Sequence, residues 1–515
     1  MASEIRAALE NELGKTRPFI SNVALQSIWN KDSRLERFMD SAFGVVESRK
    51  IRIVREQLLK TLSLLVYIEP RESGRWWRTV KSVWIDNLGD SAHMDQWLAA
   101  HTTERLKQWL QCTEWTNRFL QSRDIFTAIV VSEGMTYDLR ERPGRAPYME
   151  KSRILGEGRN GNVIEREILP GHLLLFKNGQ FREVKKKACV AVKKLRISSK
   201  NHEIGMLEQI RDITLNNQDN IATHLAVLYN QDRQSVDVLY PVADGGDLNG
   251  LIENTSLLQA KSMTAFIDQM INLASALKFL HRECFHSQAC CHMDLKPKNV
   301  LVFGLHDIPS SVGHWKLADF GASRILALRS QSSQRPGASP HDYTYTVNTK
   351  PQVQFGRYQA PEIERNEETG AGRGSDIWSL GCIFVDVLAS KLGVLSQLKS
   401  ATYYDNNGDP YKNGCFYCTY TILPFNISWG SGYCLKEGVR EWIENEFYIS
   451  RHGVNRHDKI VLRNLSQLLQ LMLNVDKIKR PGADKVYKGF KSLATISNPS
   501  DESYSTSSQR LRYRR

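Results

Sequence analysis

The stretch "CHMDLKPKNVLV", Cys291 to Val302, decides the fold and raises the question of function. Pro297 and the apolar run 300–303 predict a loop that leads into a buried strand. The loop carries a dense set of polar side chains: His292, Asp294, Lys296 and Asn299. Such a set either lies on a solvated turn or converges on one ligand, and the rest of the chain must decide between the two.

The bulk composition is that of a globular protein inside a cell. The chain has 515 residues, of which 41% are hydrophobic and 24% charged. Its longest apolar run, "TLSLLVYI" (61–68), is far shorter than the roughly 20 residues that cross a bilayer. Nine cysteines, an odd number, fit free thiols better than a disulfide framework. We expect an intracellular protein, cytoplasmic or nuclear, with no membrane span.

The sequence pattern divides the chain into three parts. Apolar residues of "RLERFMDSAFGVVESRK" (34–50) recur at helical spacing, and residues up to about 140 continue in this style. The Pro- and Gly-rich segment 140–147 is typical of a linker. Beyond it, β-branched runs precede long helical patterns that start near residue 260, which predicts an α+β architecture. We therefore expect a helical domain at 1–145, an α+β domain at 148–495 and a disordered tail at 496–515.

A glycine-rich segment suits phosphate binding. Gly156, Gly158 and Gly161 form the pattern G-x-G-x-x-G-x-V, and glycine lets the backbone approach phosphate oxygens closely. In a dinucleotide-binding unit these glycines would open into a helix. Here strand-like sequence follows, which favours a hairpin lid. Lys193 lies near the end of a later strand, where a lysine is usually a surface residue; after a glycine lid it becomes a candidate phosphate ligand.

The ordered motifs resemble those of the eukaryotic protein kinase family. The motifs, in chain order, are Gly156–Val163, "VAVK" (190–193), "HMDLKPKN" (292–299), "DFG" (319–321), "APE" (360–362), "SDIWSLGCIF" (375–384) and "KRPGADKV" (479–486). The resemblance covers about residues 148–495 and implies a two-lobed protein-kinase fold preceded by an all-α domain. The helical first 140 residues resemble regions that precede kinase domains in some fungal proteins.

The resemblance implies ATP and Mg²⁺ as cofactors and a role for each motif. Lys193 is expected to bind the α/β phosphates, held by Glu203 or Glu208 of the next helix; the helical pattern with Leu207 inward favours Glu203. Asn299 and Asp319 supply hard oxygen ligands for Mg²⁺. Asp294 is expected to accept the proton of the substrate hydroxyl, and Lys296 to steady the phosphoryl group. Lys296 stands two residues after Asp294, as in kinases of the serine/threonine type, whereas tyrosine-specific members differ there.

The adenine site follows from the same resemblance. Tyr240 is expected to guard the back pocket, Val242 to offer main-chain hydrogen bonds, and Asp247 to lie near the ribose. Three apolar residues are expected to sandwich the base: Val163, Ala191 and Leu301. Plain core packing would explain the same apolar residues. Glu362 and Arg480 are expected to form a buried structural ion pair.

Two departures from the family pattern bear on activity. Met293 replaces the arginine that usually pairs with a phosphate on the activation segment, so the chain is of the non-RD kind. Phe355 replaces a threonine that would help hold the catalytic Asp and Lys. The alternative is therefore a catalytically weak kinase-fold scaffold that binds nucleotide and partners.

Other classes of function receive less support. A net charge of +13 permits binding to anions, but neither an aromatic-interleaved basic patch nor a zinc finger is present, so we expect no nucleic-acid partner. "CFYC" (415–418) lacks a second ligand pair, so we expect no zinc site. The expected partners are a protein substrate and a protein bound by the helical domain.

Overall fold

The structure of the protein is a computed structural model. It describes residues 1–13, 19–44, 47–69, 73–85, 103–140, 144–158, 161–197, 202–214, 218–232, 234–283, 288–330, 344–346, 356–364, 372–404, 408, 414–422, 430–446 and 456–497. Phe355 and residues 498–515 of the predicted tail lie outside this part.

The chain divides into two compact units. The first comprises residues 1–200 and 224–242, and the second comprises residues 201–223 and 243–515. The predicted boundaries at 145, 148 and 495 differ from this division and stay a prediction. The final helix of the second unit, Ala483–Ser497, includes the first two residues of the predicted tail.

The first unit begins with the predicted helices. They are Ala2–Leu13, Asn22–Asn30, Arg34–Phe43, Ser48–Gln57, Leu59–Tyr67, Ser73–Val80, Thr103–Leu110 and Thr113–Ser122. The apolar face predicted around residues 35–43 is buried: Leu35, Phe38, Met39 and Phe43 are each at most 2% exposed. Trp76 and Trp115, whose rings meet edge to face at 4.9 Å, belong to the same core. The helical character of this region is confirmed.

The helices end earlier than the sequence pattern indicated. After Ser122 and a short 3₁₀ turn, the chain forms the strands Val131–Ser132 and Met135–Asp138. Met135–Asp138 runs parallel to Ala226–Tyr229. Leu139 and Tyr137 pack on the core of the sheet, which is why this segment is drawn into it. The extension of the helices to about residue 140 was therefore wrong.

A six-stranded sheet and a three-stranded sheet follow the helices in the first unit. We number the strands along the chain: β1 Val131–Ser132, β2 Met135–Asp138, β3 Tyr148–Gly158, β4 Gly161–Ile168, β5 Leu173–Lys177, β6 Gln180–Glu183, β7 Ala188–Arg196, β8 Ala226–Tyr229 and β9 Ser235–Pro241. The order in the large sheet is β2-β8-β9-β7-β4-β3, and β1-β5-β6 form a smaller one. The large sheet carries the glycine-rich hairpin, β3 and β4, at its edge.

The helices and the strands of the first unit are joined by a buried histidine. The main-chain N–H of Asn22 donates to Nε2 of His172 at 3.1 Å, and Nδ1 of His172 lies 2.8 Å from the carbonyl oxygen of Ile129. These partners require a neutral imidazole that carries its proton on Nδ1. Burial accordingly lowers the pKa of His172 to about 4.

The second unit is mostly helical. Its helices are His202–Thr214, Leu248–Glu253, Thr255–Gln259, Met263–Lys278, Pro361–Glu364, Arg373–Leu392, Leu395–Tyr403, Glu437–Glu441, Arg456–Met472 and Ala483–Ser497. Its strands are β10 Gln288–Cys291, β11 Val300–Phe303, β12 His314–Leu317, β13 Arg324–Ser330, β14 Thr344–Thr346, β15 Tyr417–Ile422 and β16 Gly430–Leu435. Helix Arg373–Leu392 is its central element, with every residue from 375 to 390 buried. None of the described helices is both long and apolar enough to cross a membrane.

Candidate active site

The sheet of the first unit presents the predicted nucleotide-binding residues on one face. Gly156, Val163 and Lys193 lie opposite one another across β3, β4 and β7. In the next row, Ala191 of β7 lies opposite Tyr240 of β9. Residues directly opposite in a sheet, and residues two apart along a strand, share a face. Lys193 is only 8% exposed, so its stem packs into the sheet.

The two outer glycines of the hairpin differ in what they require. Gly161 has φ +139°, and a Cβ there would overlap the carbonyl oxygen of Lys194. Only glycine fits this position. A Cβ on Gly156 would meet none of the described atoms within 4 Å, so packing within the described residues does not require glycine at position 156. The antiparallel pairing of β3 with β4 confirms the predicted hairpin.

The helix that follows agrees with the preference for Glu203. Leu207 is 3% exposed and faces inward, as predicted. Glu203, one turn earlier, is half-buried, whereas Glu208 is exposed. Because Lys193 belongs to the first unit and Glu203 to the second, their pairing stays a prediction.

The catalytic loop, His292–Asn299, is tightly hydrogen-bonded. Nζ of Lys296 lies 2.7 Å from Oδ2 of Asp294. The amide nitrogen of Asn299 donates to the same oxygen at 3.0 Å and to the carbonyl oxygen of Asp294 at 2.7 Å. Among the described residues no hydrogen bond reaches Oδ1 of Asp294. The loop therefore orients one carboxylate oxygen and leaves the other available to a ligand.

A hairpin places Asp319 beside this loop. Strands β11 and β12 pair so that Val300 lies opposite Leu317, which brings Asn299 next to Ala318. The N–H of Ala318 donates to the carbonyl oxygen of Asn299, and Nε2 of His292 donates to the carbonyl oxygen of Ala318, both at 2.9 Å. His292 is fully buried and packs behind the loop. Asp319 follows in a left-handed conformation with φ 62°.

The chemistry of the polar groups fits a divalent cation. Because the Asn299 amide nitrogen faces Asp294, its amide oxygen is turned away from that residue. This oxygen and the carboxylate of Asp319 are hard donors, the kind that Mg²⁺ prefers, and their role as metal ligands stays a prediction. Asn299 is only 5% exposed, so its orientation is fixed.

Asp247 and Leu301 lie next to each other through an isolated antiparallel bridge. Oδ1 of Asp247 accepts a hydrogen bond from the N–H of Gly250 at 2.8 Å and so caps helix Leu248–Glu253. Val242 follows the last residue of β9. The adenine and ribose roles of these residues stay predictions.

Asp376 is a functional residue that the sequence analysis missed. Its carboxylate accepts hydrogen bonds from the main-chain N–H groups of His292 and Met293, both at 2.8 Å, and from Nε2 of His281 at 2.9 Å. It is 1% exposed. An acid near the start of a largely apolar helix was the signal, because a buried carboxylate needs partners. Asp376 thus holds the catalytic loop by its backbone.

A second buried acid on the same helix holds the substrate segment, Gly356–Glu362. Asp386 accepts from Arg357 at 2.8 Å and from the Tyr358 hydroxyl at 2.8 Å. Burial alone would lower the pKa of Arg357, but the carboxylate of Asp386 outweighs it and raises that pKa above its ordinary value. The segment also carries Glu362.

The predicted ion pair of Glu362 with Arg480 is confirmed. The guanidinium binds both carboxylate oxygens, at 2.6 and 2.8 Å. It also donates to the carbonyl oxygen of Gly374 at 2.9 Å and lies over the ring of Trp378. Such a bidentate, desolvated pair fixes the end of the substrate segment.

Comparisons with known proteins agree with this geometry. The model of the family "Protein kinase domain" matches residues 149–489. The serine/threonine-protein kinase ULK3 of Homo sapiens is 29% identical over 209 residues, which are 40% of this chain and 36% of that protein. The serine/threonine-protein kinase Nek2 of Mus musculus is 26% identical over 256 residues, 48% of this chain and 47% of its own length. The chain thus spans less than half the length of these curated relatives.

Proposed function

Since the chain belongs to the protein kinase family and is of its serine/threonine type, we propose that it transfers the γ-phosphoryl group of ATP to serine and threonine hydroxyls of a protein substrate. The observation that carries the proposal is the oriented carboxylate of Asp294, with Oδ2 held by Lys296 and Asn299. A positioned carboxylate of this kind is what proton transfer from a hydroxyl requires.

The mechanism assigns a step to each group. Oδ1 of Asp294 accepts the proton of the substrate hydroxyl as the hydroxyl oxygen attacks the γ-phosphorus; the bond from that phosphorus to the bridging oxygen breaks, and ADP leaves. Lys296, already 2.7 Å from Asp294, donates to the phosphoryl group in transfer. ATP with Mg²⁺ supplies the phosphoryl group and neutralises its charge, and Asn299 and Asp319 would hold the metal. Lys193 binds the α/β phosphates, and Glu203 orients Lys193.

The adenosine contacts are proposed from the same family pattern. Val163, Ala191 and Leu301 sandwich the adenine, Tyr240 and Val242 line its edge, and Asp247 lies near the ribose. Placement of Val163 and Ala191 on the Lys193 face of the sheet supports this. The backbone at Gly156 and Gly158 approaches the phosphates.

The test compares two active-site variants with matched controls. In a radiolabelled-ATP assay, Asp294→Asn and Lys193→Met should each lower phosphate incorporation by about 10²-fold or more. The control for Lys193→Met is Lys194→Met, because Lys194 is the next residue on the opposite face and 57% exposed. Exposed Asp307→Asn is the control for Asp294→Asn. Both controls should retain activity.

Nucleotide binding separates the kinase from the scaffold. Asp294→Asn should still bind a fluorescent ATP analogue, whereas Lys193→Met should bind it more weakly. The catalytic proposal would be refuted if the wild-type protein binds nucleotide but incorporates no more phosphate than the Asp294→Asn variant. That result would favour the scaffold alternative, which Met293 and Phe355 suggest.

We further assign a protein-binding role to the helices of residues 2–122, and a location inside the cell. The eight cysteines in the described residues are free thiols, which suits a reducing compartment. If the helices recruit the substrate, substitutions on their exposed faces should raise KM for the full-length substrate and leave KM for a short peptide unchanged. Equal KM changes for both would contradict the recruiting role.

A further inference from the structure

Strands β15 and β16 form a hairpin in the second unit that carries two opposed cysteines. Cys418 lies directly opposite Cys434 in the antiparallel register. Their sulfur atoms are 3.3 Å apart. Both residues are partly exposed, so a small oxidant can reach them. The sequence analysis considered Cys415 and Cys418 only as zinc ligands, and the fold places Cys434 opposite Cys418.

We propose that Cys418 and Cys434 are a site of reversible oxidation, which joins them as a disulfide across the hairpin. Opposed residues of an antiparallel pair have Cβ atoms about 4.5–5.5 Å apart, near the 3.5–4.5 Å of a disulfide. The sulfurs must approach by roughly 1.3 Å to reach the S–S bond length of about 2.05 Å. Side-chain rotation supplies this without a change of register.

The reaction balances with a peroxide as the oxidant. One thiol loses its proton, and the thiolate attacks hydrogen peroxide. The O–O bond breaks to leave a sulfenic acid and hydroxide, which takes up that proton and becomes water. The second thiol then attacks the sulfenic sulfur, an S–S bond forms, and a second water leaves. Overall, two thiols and one peroxide give one disulfide and two waters. Burial and the neighbouring Cys434 raise the pKa of Cys418 to about 12, so the reaction is slow.

The hairpin begins where the chain holds the substrate segment. The carbonyl oxygen of Gly414 accepts from Arg357 at 3.3 Å, and the Arg357 guanidinium lies 4.7 Å from the centroid of the Phe416 ring. Sγ of Cys415 donates to the carbonyl oxygen of Gly356 at 3.4 Å. A bond at residue 418 therefore restrains the strand that continues from these contacts. Resting on the proposed function, this link predicts that oxidation changes KM for the protein substrate and leaves KM for ATP unchanged.

The experiment uses the full chain, treated with hydrogen peroxide and then with dithiothreitol. Peptide mapping without reduction should find Cys418 joined to Cys434 after peroxide, and dithiothreitol should remove the link. The variant Cys418→Ser/Cys434→Ser should give no such peptide. The variant Cys112→Ser/Cys189→Ser, which alters two cysteines outside the hairpin, should give it in full.

The outcomes separate the proposals. Sulfinic or sulfonic acids at Cys418, or links to other cysteines in place of Cys434, would overturn the disulfide. A Cys418–Cys434 link with unchanged KM for the protein substrate would overturn its effect on the substrate segment. Because mapping needs no catalytic activity, an inactive enzyme that still forms the link would refute the kinase mechanism alone.

Discussion

The catalytic loop and the substrate segment are held to the same helix, Arg373–Leu392, in opposite ways. Asp376 holds the catalytic loop through main-chain N–H groups of His292 and Met293. Asp386 holds the substrate segment through the side chains of Arg357 and Tyr358. A main-chain contact is indifferent to the side chain at residue 293, so a methionine can replace the usual arginine there. A side-chain contact allows no such change at residue 357.

Removing the charge of Asp376 is expected to have the largest effect. In Asp376→Asn, an amide NH₂ group replaces one of the two carboxylate oxygens that accept from the main-chain N–H groups of His292 and Met293. The N–H group that faced this oxygen loses its acceptor. Three hydrogen bonds to a buried carboxylate together contribute on the order of 5 kcal/mol to the free energy of unfolding. We expect most of this to be lost in denaturant unfolding, with kcat reduced about 10²-fold.

The variant Asp386→Asn, measured under the same conditions, tests whether the two buried acids have different roles. Asp386→Asn frees the substrate segment, so it should raise KM for a peptide substrate, whereas Asp376→Asn should act mainly on kcat. The same kinetic change in both variants would contradict the division of roles.

Breaking the ion pair of Glu362 with Arg480 is expected to lower the free energy of unfolding slightly less than Asp376→Asn does. Arg480→Met leaves a carboxylate that is 10% exposed without its partner, at a cost of about 4 kcal/mol in the free energy of unfolding. The double variant Glu362→Gln/Arg480→Met should lose less than the sum of the single variants. Lys479→Met, at a neighbouring side chain that is 70% exposed, serves as the control and should be near neutral.

Acid should weaken the hold of the catalytic loop and spare that of the substrate segment. Burial lowers the pKa of His281 beside Asp376, with the hydrogen bond to Asp376 opposing this. Below about pH 6.5 the unfolded chain therefore binds a proton that the folded chain does not. The free energy of unfolding consequently decreases as the pH is lowered. Arg357 of the substrate segment stays charged in this range, because burial is outweighed by the carboxylate of Asp386, which raises the pKa of the guanidinium above the ordinary value.

The measurement is the free energy of unfolding between about pH 7.5 and about pH 5, a range that brackets the ordinary histidine pKa of roughly 6.5. His281→Gln should reduce the pH slope, by at most about 1.4 kcal/mol per pH unit at the steepest point. His172 and His314, whose pKa values burial also lowers, remain in both proteins, so the difference reports His281 alone. Equal slopes would contradict this assignment.

The smallest effect is expected at Met293 itself. Met293 packs with Cys291 and Leu326, and Met293→Leu keeps both the volume and the main-chain contacts. The free energy of unfolding should change by less than about 1.5 kcal/mol, with little change in kcat. Phosphatase treatment should leave activity unchanged, because a thioether cannot bind a phosphate. A clear loss of activity that rephosphorylation reverses would contradict this.

The sequence predicts what depends on short range and on motif order. Asn299 lies beside Asp294 because they share one loop, and the inward Leu207 follows from helical spacing. The bond of Arg357 to Asp386 spans 29 positions and depends on packing that no local pattern records. For the same reason helical periodicity was extended past Ser122, where pairing of β2 with β8 overrides it.

The strands before residue 145 matter for anyone who expresses the catalytic part alone. A fragment that starts at Tyr148 would lack β1 and β2, and with them the parallel neighbours of β5 and β8. The unpaired N–H and C=O groups of β8 would then face water or another molecule. It would also lack Asn22, which donates to His172, and Phe19 and Ala128, which form a small core with Leu169. Recombinant truncation at the motif boundary should therefore yield aggregates, and the soluble minimal fragment should retain the helices.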